Sequence, residues 1–245
     1  MKYEFNGKIR YSEVDENARL TLNGLVNYFQ DTSTFQSEYL KVGIEYLKEH
    51  HLAWILSSWQ IVIHRLPKLC EQVTVQTWAY EFKGFYGMRN FALLDEQGEL
   101  TARANSVWVL FDTQQQRPVR ITPEIGDCYG AEPRLEMEYA PRKISVPKEG
   151  TTEEPILVGK HHLDTNHHVN NGQYITWAQD YLPEGFHIHQ MRADYRMQAR
   201  LHDEITPIVS RLEDQVTVQL CDRERKPYAV VEFSAGENIS GRELC

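Results

Sequence analysis

Cysteine, basic charge and long apolar runs are all in short supply in this chain of 245 residues, and each shortage excludes a class of function. The four cysteines, Cys70, Cys128, Cys221 and Cys245, stand far apart and form no C-x-x-C pair. Neither a disulfide framework nor a structural zinc site is therefore expected. Asp and Glu outnumber Lys and Arg, giving a formal net charge of -9. Nucleic-acid binding draws on clustered cations that neutralise phosphates, so nucleic acid is not expected as a partner. No stretch of about 18 consecutive apolar residues is present to cross a bilayer, and Met1 to Phe5 form no apolar signal region. A soluble, cytoplasmic protein without membrane association is the expectation.

Apolar residues make up 41% of the chain, enough for one large core or two small ones. The first half opens with a strand expected over Lys2 to Arg10. A helix follows, in which Leu22, Leu25, Val26 and Phe29 fall at helical spacing. Four runs rich in Val, Ile, Trp, Tyr and Phe come next: Ala53 to His64, Val73 to Phe82, Met88 to Leu94, and Ala104 to Phe111. They read as strands. Their separators, among them Lys83-Gly84-Phe85-Tyr86-Gly87 and Asp95-Glu96-Gln97-Gly98, carry the turn chemistry of an antiparallel sheet.

Between Glu132 and Glu154 the pattern gives way to Pro133, Pro141, Pro147, Gly150 and many charges, which reads as a linker. The first scheme then begins again, with a strand expected over Pro155 to His162, a helix near Asn171 to Tyr181, and strands around Met191, Ile205, Val216 and Val230. The repeat also shows residue by residue. Asp15 and Asp164, Asn17 and Asn166, Gln30 and Gln179, and Asp31 and Asp180 are each 149 residues apart. At the position of His168 the first half carries Arg19, which cannot be deprotonated to act as a base. The expected architecture is α+β: two units in tandem, each an antiparallel sheet wrapped around a central helix, over 1–135 and 155–245 with a linker over 136–154. A single α+β domain with a long insertion is the alternative.

These residues resemble the acyl-acyl-carrier-protein thioesterases of plants and bacteria, which carry two hotdog folds in one chain. In the first half the resemblance rests on Trp54 to Ile63, on Thr77-Trp78 with Gly84 to Arg89, and on Ser106 to Leu110. In the second half it rests on Asp164-x-Asn166-x-His168-Val169-Asn170-Asn171-x-x-Tyr174-x-x-Trp177, the most specific stretch. The resemblance implies hydrolysis of fatty acyl-acyl-carrier-protein to free fatty acid, with Asp164, Asn166 and His168 at the catalytic positions. The family usually continues with Glu-Tyr, two mostly basic residues, Glu, and Cys or Ala. Here that stretch reads Asp194-Tyr195-Arg196-Met197-Gln198-Ala199. Ala199 argues against cysteine catalysis, and Gln198 can orient water without taking its proton.

The resemblance further implies that the first unit holds the acyl tail, making Trp54 and Trp59 candidates to line it. The partner would be acyl carrier protein bearing a 4'-phosphopantetheine-linked acyl chain, with Arg117 and Arg120 as an expected dock for its acidic surface. No cofactor and no metal are expected, and a monomer and a homodimer are both allowed.

A thioester is activated already, its leaving thiol having a pKa of about 8.5 by analogy with cysteine. The protein must chiefly supply activated water and a place for negative charge. Asp164 can take a proton from water or attack directly. His168 can share the base role or protonate sulfur, and Asn166 can donate to water or the carbonyl. The helix starting near Asn170 and Asn171 would turn unpaired N–H groups toward the reacting oxygen.

Plainer readings stand beside these. Asp164, Asn166 and Asn170 serve equally as turn and cap residues before a helix. His161, His162, His167 and His168 suggest a metal, but adjacent histidines point apart and no Cys or Glu sits at ligand spacing. Cys221 reads as an idle thiol, the tryptophans as core, and Arg117 and Arg120 as solvated loop charge. The competing functions are acyl-coenzyme A hydrolysis by the same residues, dehydration of hydroxyacyl thioesters, and non-catalytic acyl binding.

Overall fold

The computed structural model describes residues 1–164 and 166–236, so Thr165 and Cys245 of the sequence reading lie outside the described residues. The chain divides into two compact units, Met1–Lys143 and Ile144–Cys245. Among the described residues no helix is long and apolar enough to cross a membrane.

Unit 1 begins with β1 (Tyr3–Lys8), whose side chains alternate between half-buried and exposed as an edge strand requires. A 3-10 turn at Tyr11–Glu13 leads into α1 (Leu22–Tyr39), capped by Thr21, whose hydroxyl accepts the Gly24 N–H at 3.0 Å. Leu22, Leu25, Val26 and Phe29 are buried on one face, as the spacing predicts, and Thr32, Ser33 and Gln36 continue that face with polar side chains. Then come α2 (Ile44–Glu49), β2 (Leu52–Ile63), β3 (Gln72–Lys83), β4 (Tyr86–Leu94), β5 (Leu100–Asp112), β6 (Arg117–Pro118) and α3 (Pro123–Tyr129). The sheet order is β1-β3-β4-β5-β2, all antiparallel, with β6 on β5. Gly84, at φ 65, makes the tight β3–β4 turn that the sequence marks.

Unit 2 repeats this order. Its elements are β7 (Thr151–Thr152), β8 (Ile156–Leu157), a 3-10 turn at Lys160–His162, α4 (Asn171–Gln179), β9 (Ile188–Tyr195), β10 (Glu204–Arg211), β11 (Gln215–Cys221) and β12 (Pro227–Ala235). The sheet runs β7-β10-β11-β12-β9, with β8 also on β10. Counterparts therefore occupy the same places in both sheets, and the fold is the tandem double hotdog.

One expectation needs correction, and two features add to the reading. The strand read over Pro155 to His162 is only the pair Ile156–Leu157, because Pro155 has no N–H for the ladder and residues 160–162 coil into the 3-10 turn. The counterpart of β1 is thus split into β7 and β8. The segment 136–154, read as a linker, holds the boundary between the two units and makes contacts within each of them. Gln60 binds Glu138 O at 2.9 Å and Ala140 N at 2.9 Å, Arg142 donates to Ser57 Oγ at 2.9 Å, and β7 joins the second sheet. Helices α2 and α3 were not foreseen, although Thr122-Pro123-Glu124 is a helix-start signature.

Candidate active site

The site grows from one turn of unit 2. Leu163 and Val169 form an isolated antiparallel bridge, and the loop between them is closed by Asp164. Its Oδ1 accepts the backbone N–H of Asn166 at 2.8 Å and that of His168 at 3.1 Å, while its own N–H donates to His168 O at 2.8 Å. His167 turns the chain at φ 61, a left-handed conformation that costs roughly 1–2 kcal/mol for a residue with a side chain. Asn170 follows as the cap of α4, its Oδ1 accepting the Gly172 N–H at 2.8 Å.

Unit 1 builds the same turn 149 residues earlier. Asp15 Oδ1 accepts Asn17 N and Arg19 N, both at 2.9 Å, Val14 bridges Leu20, and Ala18 takes the left-handed position at φ 56. The Asp therefore organises the loop in both copies through one carboxylate oxygen. Its other oxygen, Oδ2, makes no hydrogen bond in either turn among the described residues. What distinguishes the copies is His168 where unit 1 has Arg19.

His168 is half-buried and also bridges Arg200 through its backbone. Burial lowers its pKa from the ordinary 6.5, the Asp164 carboxylate opposes that shift, and Arg200 and His167 add to it. The imidazole is thus held in its neutral, proton-accepting form at neutral pH. Alongside runs the segment after β9: Val169 N–H donates to Ala199 O at 2.9 Å, and Ala199 N–H donates to the Tyr174 hydroxyl at 3.0 Å. Exposed Gln198 is carried into the neighbourhood of His168 by those two bonds.

Asn166 is exposed beside Asp164, and Asn171 is the first residue of α4. The expected set of free helix-start donors is reduced: Gly172 N–H is taken by the Asn170 side chain, and Gln173 N–H binds Asn170 O at 2.9 Å. The Asn171 N–H remains without a partner among the described residues, while its carbonyl accepts from Tyr195 at 3.0 Å.

The other predicted residues belong to unit 1. Trp59 is 2% exposed and packs on Phe29 and Phe91 with ring centroids 6.1 and 5.0 Å away. Trp54 lies edge-on to Tyr129 at 6.3 Å. Arg117 and Arg120 are exposed, Arg117 Nε donating to Gln115 at 2.8 Å. Cys221 is buried in β11, and burial pushes its thiol up to about 11, which suits an idle core cysteine. Sequence reasoning missed the roles of Tyr174 and Arg200. Tyr174 stood inside the Asp164 to Trp177 pattern, but nothing in the spacing showed that its hydroxyl meets Ala199.

The N-terminal domain model of the acyl-ACP thioesterases matches residues 1–129, and the C-terminal domain model of the same family matches residues 146–233. Oleoyl-acyl carrier protein thioesterase 1 of Arabidopsis thaliana is 25% identical over 86% of this chain. The chain spans 64% of that protein's length and 59% of that of oleoyl-acyl carrier protein thioesterase 2 of the same plant, less than two thirds of either. The crystal structure of an acyl-ACP thioesterase from Bacteroides thetaiotaomicron has the same fold, with TM-score 0.87 at 22% identity over 96% of this chain and 98% of that one. A protein from Lactobacillus plantarum provisionally named an oleoyl thioesterase gives TM-score 0.83 at 27% identity, covering 97% of this chain and 98% of its own.

Proposed function

The chain belongs to the acyl-ACP thioesterase family, and on that premise we propose that it hydrolyses the thioester of fatty acyl-acyl-carrier-protein to free fatty acid and carrier thiol. The observation that carries this reading is the pairing of Asp164 and His168 on one short loop at the start of α4, with the imidazole kept neutral by burial. His168 takes a proton from water as the water oxygen adds to the thioester carbon. The Asp164 charge favours the imidazolium so formed. When the C–S bond breaks, the electron pair leaves on sulfur and the imidazolium returns its proton there, giving acid and thiol. The Asn171 N–H and the exposed Asn166 amide are donors for the oxygen that gains charge.

Acyl carrier protein is the proposed partner, with exposed Arg117 and Arg120 offered to its acidic surface. One observation favours a second reading, in which the chain binds acyl groups without cleaving them: Gln198 stands where a carboxylate would assist a base. A free-thiol assay on matched acyl groups attached to carrier protein and to coenzyme A separates these. Release from carrier protein at higher kcat/KM supports the proposal, release from coenzyme A alone moves the substrate, and saturable binding without thiol refutes hydrolysis.

A further inference from the structure

Unit 1 contains a buried cation that no carboxylate answers. Arg89 on β4 keeps 8% exposure, and its guanidinium hydrogen-bonds only through Nη1, to Gln36 Oε1 and to Thr77 Oγ1 at 3.1 Å. Both acceptors are locked in place. Gln36 Nε2 donates to Met1 O at 2.9 Å, and the Thr77 hydroxyl donates to Asn90 O at 3.1 Å. The ring of Tyr129 lies 5.3 Å from the guanidinium carbon. Nε and Nη2 make no hydrogen bond among the described residues. Burial lowers the pKa to about 10, so the group remains charged at neutral pH.

The strand register shows what surrounds it. Arg89 pairs with Ser106 of β5, and Ser106 with Trp59 of β2, so the three share one line across the covered face. The Ser106 hydroxyl is already taken by the Trp108 indole at 2.7 Å. Two residues back along β4, a Cβ on Gly87 would stand 3.3 Å from the Trp54 ring, so the absent side chain lets that indole lie close to the strand. The Nε1 atoms of Trp54 and Trp59 are both buried without a partner. The face therefore offers a forked guanidinium edge and two indole N–H groups with no acceptor to meet them, flanked by Phe29 and Phe91.

We propose that the Nε/Nη2 edge of Arg89 is a subsite for an oxygen acceptor carried on an apolar chain, a hydroxyl, keto or carboxylate oxygen on the distal part of a bound acyl group. The inference rests on the proposed hydrolysis of acyl thioesters, with the acyl tail held in the first unit as the family resemblance implies. A carboxylate fits best, because two parallel N–H groups match its two oxygens and charge-assisted bonds are the stronger kind.

The test is calorimetric titration of the whole chain with methyl dodecanoate, methyl 12-hydroxydodecanoate and monomethyl dodecanedioate, which share a neutral head and differ only at the distal end. The two distally oxygenated esters are expected to bind more tightly than methyl dodecanoate, the monoester of the diacid by about tenfold. Arg89→Met should abolish that preference, and Arg89→Lys, which keeps charge but not the fork, should retain only part of it. Equal or weaker binding of the distally oxygenated esters by the unaltered protein overturns the subsite whether or not either variant folds. So does a folded Arg89→Met that keeps the preference. Tighter binding of the monoester of the diacid together with no thiol release from any acyl thioester supports the subsite while overturning hydrolysis.

Discussion

The backbone N–H of His168 donates to Asp164 Oδ1 at 3.1 Å, while the Asp164 N–H donates to His168 O at 2.8 Å. One loop thereby ties the proposed base to the carboxylate that favours its charged form. Because Asp15 and Arg19 make the same pair of bonds in unit 1, the hydrogen bonds alone do not mark a catalytic loop. The imidazole does.

Acidity should report on that imidazole. Burial disfavours the imidazolium, so the active, neutral form persists to lower pH than in a free imidazole, and the acid limb of kcat/KM should lie below 6.5. Arg200 contributes to the lowering, so Arg200→Gln should move the limb to higher pH. A pH-rate profile of both proteins checks this, and a limb that stays in place removes Arg200 from the account.

Tyr174→Phe should destabilise by about 1–3 kcal/mol in urea unfolding, because it strips the acceptor from the N–H of Ala199, a residue with 0% exposure. Activity should fall as well, since the same bond holds Gln198 to Arg200 beside His168. A folded variant of full stability would show that Ala199 finds another acceptor.

Much of this architecture was legible in the chain. The 149-residue repeat carries the turn, the left-handed residue and the helix start of both units, because these depend on short-range hydrogen bonds from Asp, Thr and Asn. The spacing of Leu22, Leu25, Val26 and Phe29 likewise betrays a buried helix face. Less legible was anything made by chain segments meeting at a distance. The sequence marks Arg89 only as part of the Gly84 to Arg89 stretch, and nothing in its spacing shows that Gln36, 53 residues earlier, lies over it. Pro155 splitting the first strand of unit 2 was legible in principle, since proline has no ladder donor.

Asn170→Ala should cost about 0.5–2 kcal/mol by loss of the α4 cap, whereas Asn170→Asp should hold stability near that of the parent. Thermal and urea unfolding measure both. Equal loss in the two variants would mean that the side-chain acceptor is not what matters.

Reversing charge with Arg117→Glu and Arg120→Glu should raise KM for acyl carrier protein substrates roughly tenfold, with a steeper effect at low salt, and leave short pantetheine thioesters unchanged. Steady-state kinetics on the two substrates decides. An equal rise on both would place these arginines outside carrier recognition.

The most direct test compares Asp164→Asn with Asp15→Asn. Asparagine keeps the Oδ1 acceptor that both turns require and removes only the charge. Thiol release by Asp164→Asn should fall by roughly 100-fold or more, while Asp15→Asn should turn over at nearly the parent rate and both should melt close to the parent Tm. Equal activity in two well-folded variants would contradict the assignment of chemistry to the second turn.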